Sequence, residues 1–328
     1  MIYLRNMLLL VALLSIVPSS VPDELESHEY MKREHSLIKP YQGTGTSVPY
    51  WDFLGSTMVT ANYIRLTGDI QSLKGALWNK VPCRVRYWEV QIQFKVHGRG
   101  KELFGDGFAF WYVKDPMQSG HVFGSKDYFT GLVIVADTYS NHNSAHKHGH
   151  PYVSAMINNG TQHYDHDRDG THTQLGGCQS KFRNLDHDTH ISIKYIKDTL
   201  TVSTSIENTR VFKECFTVKG VQLPTGYYFG VSAATGDLAD NHDIVSIKAY
   251  DLVSLEGDEV LEDRSQVVPA ASFFEPPRDH LDDPKPSGLT MWKKIILLIL
   301  GIGGICGAIF IGGLFYAKQK EQQRKRFY

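Results

Sequence analysis

The sequence predicts an all-β fold: one large antiparallel β-sandwich, followed by a stalk and a single membrane-spanning helix. Three observations carry this. "WEVQIQFKV" (Trp88–Val96) alternates apolar and polar residues without a break, so one face of a strand faces a core. "GFAFWYV" (Gly107–Val113) and "GLVIVAD" (Gly131–Asp137) are continuous apolar runs, as strands covered on both faces require. Helical periodicity is nearly absent from Gly43 to Leu255, a length that suits many short strands in one sandwich.

The elements follow in chain order. Residues 1–20 have a basic start at Arg5, an 11-residue apolar run from Met7 to Val17, then Ser19 and Ser20. That is the layout of a cleaved signal peptide, too short to span a bilayer. Residues 21–42 are charged and patternless and are expected to form a loose lead. The sandwich is placed at 43–255. Within it "ISIKYIKDTLTVSTS" (Ile191–Ser205) predicts a hairpin turning near Lys197 and Asp198, with Ile191, Ile193 and Tyr195 facing Leu200 and Val202. "YYFGVSAATG" (Tyr227–Gly236) and "DIVSIKAYDL" (Asp243–Leu252) predict two further strands. Residues 256–294 turn acidic and proline-containing, as a stalk does.

Residues 295–317 are 23 residues without a charge, enough to cross ~30 Å of hydrocarbon as a helix. The tail 318–328 carries five basic residues and one acidic one. With the signal peptide in front, this predicts a type I membrane protein whose bulk is luminal. The formal net charge of −1 argues against a nucleic-acid partner. In an oxidising lumen one disulfide is expected, Cys178–Cys215, with Cys83 left as a buried thiol. Asn159-Gly160-Thr161 is a glycosylation sequon.

"YDHDRDG" (Tyr164–Gly170) packs three aspartates and a histidine into seven residues. By spacing alone it is a metal site, an acid/base pair or an aspartate-rich turn. "DTYSN" (Asp137–Asn141) offers Asp137 and Asn141 side-chain oxygens around the Tyr139 carbonyl, the hard donors that calcium takes. "HNSAHKHGHP" sets His142, His146, His148 and His150 close together, which is either a solvated loop or a zinc-binding one. A glycoside hydrolase needs two carboxylates flanking the scissile bond. The strand candidates carry no acidic pair at alternate positions, and neither a nucleophile elbow nor HExxH occurs. An adhesion or structural receptor at the cell surface is the remaining alternative to an internal binding protein.

"WDFLGSTM", "FGDGFAFWY", "VFGSKDYFTGL", "DTYSN", "YDHDRDG", "FRNLDHDT", "LPTGYYFGVSAATGDLADNHDI" and the terminal "KRFY" occur in this order. Together they resemble the leguminous-type (L-type) cargo-receptor lectins of the early secretory pathway, in particular the vesicular integral-membrane subgroup. The resemblance implies a concanavalin-like jelly roll that binds calcium and high-mannose N-glycans on glycoprotein cargo. It implies calcium ligands Asp137, Tyr139, Asn141 and Asp169, with one ion only, because Ser140 and His142 stand where relatives with two ions carry acidic residues. It implies sugar contacts from Asp106, Tyr139, Asn141, His166, Gly236, Asp237 and Leu238, leaving Asp165 and Asp167 solvated or structural. Ala76 is expected to replace a sugar-contacting serine and so to remove one hydroxyl. Protonation of His166 is expected to weaken binding in mild acid. The tail residues Arg324, Lys325, Arg326, Phe327 and Tyr328 would engage COPI- and COPII-type coats, placing the chain in the endoplasmic reticulum, the intermediate compartment or the Golgi.

Overall fold

The computed structural model of the chain describes residues 30–41, 47–141, 149–252, 263–271, 307, 310–318 and 320. Its strands begin with β1 (Trp51–Gly55), β2 (Met58–Val59), β3 (Ile64–Thr67), β4 (Lys74–Asn79), β5 (Trp88–His97) and β6 (Gly107–Val113). They continue with β7 (Ser119–Val122), β8 (Thr130–Asp137), β9 (Tyr152–Asn159), β10 (Gly176–Gln179), β11 (Thr189–Ile196) and β12 (Thr199–Ser205). The last are β13 (Lys213–Lys219), β14 (Val221–Gln222), β15 (Tyr228–Ala234), β16 (Asn241–Asp251) and β17 (Ala270–Ala271). Two seven-stranded sheets result, in the orders β1-β4-β15-β6-β8-β9-β10 and β13-β12-β11-β5-β16-β3-β2. Neighbouring strands in both are antiparallel. The all-β reading is thus met.

The two strand patterns have different causes. In β5 the inward residues Trp88, Val90, Ile92, Phe94 and Val96 are buried while their neighbours are half-buried, because the second sheet has a core on one side only. In β6 and β8 every residue but Thr130 is buried. Phe108, Phe110, Tyr112, Leu132 and Ile134 enter the core between the sheets. Ala109, Trp111, Val133 and Val135 enter a second cluster on the opposite face, closed by Phe123, Phe129 and Tyr164. The hairpin lies where expected: Tyr195 pairs with Leu200 and Ile193 with Val202, and Lys197 and Asp198 both take positive φ.

Two expected boundaries need correction. The lead is not loose between Tyr30 and Tyr41. Met31 and Leu37 bridge to Tyr250 and Ile247 of β16, and His35 is buried with Nδ1 2.9 Å from Asn79 Oδ1. Those partners lie far along the chain, so no local pattern announces them. The stalk does not begin at 256 either. Arg264 pairs with Asp198 at 2.6 Å, and β17 pairs with β14. The short apolar cluster within the acidic stretch makes this docking.

Cys178 and Cys215 are bonded, with Cα atoms 5.4 Å apart. Cys178 lies on β10 and Cys215 on β13, the edge strands of the two different sheets. The bond therefore closes the sandwich along one open side. Cys83 is a buried thiol. The loop spans 37 residues, and in the chain-entropy model such a closure contributes about 4 kcal/mol. Cys178→Ala with Cys215→Ala is expected to lower the thermal midpoint and leave the wild type's sensitivity to reductant behind. A midpoint equal to that of the wild type in scanning calorimetry would contradict this.

The described residues of the predicted span, 307 and 310–317, are helical, as are 318 and 320. Among the described residues no helix is long and apolar enough to cross a membrane. The rest of the span, the signal peptide, the remaining stalk and the tail from 321 lie outside the described residues.

Candidate calcium and sugar site

One end of the first sheet gathers the candidate residues. Gly107 at the start of β6 pairs with Asp137 at the end of β8 and with Ala234 at the end of β15. Strand register thus sets Asp106, the Asp137–Asn141 loop and the Thr235–Asp240 loop side by side. Asp169 returns to the same rim from the loop after β9. Its residue adopts the left-handed conformation, with φ 50°, at the end of the 3-10 turn His166–Arg168.

The aspartates are held by backbone donors. Tyr139 N–H donates to Asp137 Oδ1 at 2.9 Å, and Asn141 N–H donates to Asp169 Oδ1 at 2.9 Å. Both carboxylates are buried, and Asp169 Oδ2 has no hydrogen-bond partner. Burial, then the neighbouring charge of Asp169, pushes the Asp137 carboxyl well above the usual carboxylate range. Two buried acids side by side, one with an orphan oxygen, form a donor set that a divalent cation satisfies. The third member is His150. Its Nε2 lies 3.9 Å from Asp137 Oδ2 and 3.9 Å from Asp169 Oδ2. His142, His146 and His148 lie outside the described residues.

The adjoining surface is polar and built on backbone contacts. Thr138 donates to the Asp106 carbonyl from both its N–H and its Oγ1, each at 2.9 Å. The Gly236 backbone favours the charged form of the Asp106 carboxyl. Burial nevertheless pushes that carboxyl up to about 6, with the charge of Asp237 adding to it. Gly105 sits between two walls of the surface: a Cβ there would lie 3.2 Å from Tyr139 Cβ and 3.6 Å from Leu238 Cβ. Gln71 Nε2 donates to the Asp237 carbonyl at 2.6 Å, and Leu73 and Ile70 anchor the Thr235 hydroxyl.

His166 is half-buried against Tyr164 and Phe123, with ring centroids 4.8 and 5.6 Å away. Burial pushes its ring below the usual histidine range, so it stays neutral to lower pH than a free imidazole does. That opposes the expected role of His166 as the acid sensor. Asp165 is half-buried and accepts the Gly170 N–H on its carbonyl, and Asp167 is exposed. Ala76 is the clear correction. It is 3% exposed within the apolar cluster of Trp78, Trp111 and Phe123, two residues inside the sheet. The serine at the rim is Ser72, exposed, with φ 57° and its N–H on the Gly236 carbonyl at 3.1 Å. Sequence reasoning missed Ser72 because it precedes the strand, where no pattern locates a loop. It missed His150 as a partner of the acids because that contact is made only after β8 and β9 pair.

A cleft lined by Lys32, Arg84, Arg86 and Arg264 among others shares no residue with this rim. A methyl at Gly236 would stand 3.2 Å from Asp106 Oδ1 and 3.3 Å from Oδ2. Gly236→Ala is expected to displace the carboxylate and weaken glycan binding, with calcium affinity unchanged. Calorimetric titration of each ligand checks both halves.

A jelly-roll sandwich with a buried acidic pair and a polar rim at one end of its doubly covered sheet has the build of a β-sandwich lectin. The chain belongs to the legume-like lectin family, whose family model matches residues 28–259. It is 47% identical to human vesicular integral-membrane protein VIP36 over 98% of this chain and 91% of that protein. It is 47% identical to human VIP36-like protein over 92% of this chain and 87% of that one. The crystal structure of the VIP36 exoplasmic/lumenal domain in its Ca2+/Man-bound form superposes with a TM-score of 0.71 at 50% identity, covering 74% of this chain and 99% of that one.

Proposed function

We propose that the chain is a calcium-dependent lectin for mannose-rich N-glycans that carries glycoprotein cargo between the endoplasmic reticulum and the Golgi. It binds and does not catalyse, as its membership of a lectin family implies. The observation that carries the reading is the buried pair Asp137 and Asp169, with Asp169 Oδ2 lacking a hydrogen-bond partner. The pair accepts the Tyr139 and Asn141 N–H groups, and the intervening Thr138 donates to the Asp106 carbonyl, with Gly236 beside the Asp106 carboxylate. Asp137, Asp169, the Tyr139 carbonyl and the Asn141 side chain would hold one calcium ion, whose charge neutralises the acids and orders the loop. Asp106 then accepts from vicinal sugar hydroxyls, beside the Gly236 backbone and with Asp237 and Leu238. Asn141 offers its amide N–H, and Tyr139 and Leu238 supply apolar walls. His166 contacts the sugar as a neutral imidazole, and the Ser72 hydroxyl is offered at the rim.

The resemblance supports the remaining organisation: a cleaved signal over 1–20, a span over 295–317 and a type I orientation. The sequon supports glycosylation at Asn159, an exposed residue at the end of β9. In the tail, Phe327 and Tyr328 would engage an export coat, and the run Arg324, Lys325, Arg326 a retrieval coat. A glycan array probed with the full-length chain in detergent, in calcium and in chelator, tests the binding claim. Calcium-dependent signal confined to mannose-rich glycans is expected, and equal signal in chelator would refute it.

A further inference from the structure

We infer that Asp137, Asp169 and His150 form a binding site for a transition ion of the zinc class, which competes with calcium for the two aspartates. The inference rests on the calcium reading only for the competition, not for the site. Ligand atoms of the three residues lie within 4.8 Å of one another. The His150 side chain is 6% exposed, and that of Asp169 is 2% exposed with Oδ2 lacking any hydrogen-bond partner. The two 3.9 Å contacts of His150 Nε2 are too long for hydrogen bonds. An ion at the centre of such a triangle would stand about 2.5 Å from each atom, a few tenths of an ångström beyond zinc–nitrogen and zinc–oxygen bonds. Small side-chain movements close that gap.

The donor chemistry separates two ions. Calcium takes oxygen, from carboxylates, amides and carbonyls. It therefore uses the Tyr139 carbonyl and the Asn141 amide and finds no ligand in an imidazole. Zinc takes imidazole nitrogen together with carboxylate oxygen, usually in a four-coordinate set. It therefore uses His150 and leaves the fourth position to water. Each aspartate has its Oδ1 committed to a backbone N–H and turns its Oδ2 toward His150. Both ions need those same two Oδ2 atoms, so one excludes the other. The loop that presents Tyr139 and Asn141 would be ordered by calcium and not by zinc. Zinc would thus oppose glycan binding without touching a sugar-contacting residue.

The test uses the full-length chain in detergent, stripped of metal and dialysed against zinc, against calcium and against both. Bound metal is counted by mass spectrometry, and cobalt(II) replaces zinc where its visible absorption can report an imidazole ligand. The wild type is expected to hold one zinc per chain and to release it as calcium is raised. His150→Ala and His150→Phe, the latter keeping a ring beside Tyr152, are expected to lower zinc affinity by more than ~100-fold, beyond the loss of an outer-shell partner. Calcium affinity should change little in either. A variant with His142, His146 and His148 all replaced by alanine should keep the zinc. Zinc retained by both His150 variants, zinc lost with the three loop histidines, or zinc and calcium held together would each overturn the inference. A wild type that takes zinc but no calcium would instead refute the calcium reading and leave this site standing.

Discussion

Asp137→Asn is expected to abolish the rise of the thermal midpoint in calcium, while leaving the calcium-free protein at least as stable as the wild type. In the calcium-free state Asp137 is buried beside Asp169, and its carboxyl is pushed well above the usual range by burial and by that neighbour. A raised carboxyl in the folded state is a penalty carried while the group is charged, at pH above its folded pKa. The penalty lifts as pH falls through that pKa, so stability from this site runs opposite to that of a salt-bridged aspartate. The amide removes the charge and with it the penalty. Calcium lifts the same penalty in the wild type by supplying the opposite charge. At a concentration 100 times its dissociation constant, a ligand that binds only the native state contributes about 2.7 kcal/mol. For a domain of this size that is a shift of roughly 5–10 °C. Differential scanning fluorimetry in calcium and in chelator reads both arms. A chelator-treated variant several degrees below the chelator-treated wild type would mean that Asp137 is held by contacts and not poised for a cation.

Asp106→Asn is expected to weaken glycan binding by about 2 kcal/mol, roughly thirtyfold, with calcium affinity intact. The carboxylate accepts charge-assisted hydrogen bonds that an amide oxygen makes more weakly. The same carboxyl is pushed up to about 6, chiefly by burial. Only its charged form binds as proposed, so affinity should fall as pH drops through about 6. The asparagine variant should lose that dependence and give a flat profile over the same range. His166 does not supply it, since burial pushes its ring downward and keeps it neutral there. Binding titrations from neutral to mildly acid pH, at saturating calcium, separate the two residues. Should Asp106→Asn keep the wild-type slope, another group sets the acid response.

How much of this was legible beforehand depends on the range of the contacts concerned. The alternation of Trp88–Val96 and the unbroken apolar runs of β6 and β8 are local consequences of one-sided and two-sided burial. They can be read directly, as can the turn at Lys197 and Asp198. Asp106, Asp137 and Asp169 could be singled out because the resemblance supplied their pattern. Three features resisted. His35 and Leu37 look unpatterned because their partners, Asn79 and Ile247, lie elsewhere in the chain. Ala76 looked like a site residue because the resemblance placed a sugar-contacting serine at its position. In the sheet its side chain faces the cluster of Trp78 and Trp111, and the rim falls to Ser72. His150 looked like one of a histidine run, whereas the pairing of Asp137 with Tyr152 brings it against the acids.

The path of β16 has a mechanical consequence. The strand leaves the Gly236–Leu238 loop at Asn241 and runs to Asp251, paired along its length with β5. A tug on a captured glycan, resisted by the chain beyond Leu252, pulls parallel to this strand. Such a tug enters β16 at one end and leaves it at the other, so the strand's extended covalent backbone carries the tension, and the hydrogen bonds to β5, which stand perpendicular to it, are spared. The two-residue pairing of β14 with β17 lies further along the same line of force. With only two paired residues it holds far less than the β5–β16 ladder and would part first, acting as a compliant segment while the strand beneath the sugar loops stays in register.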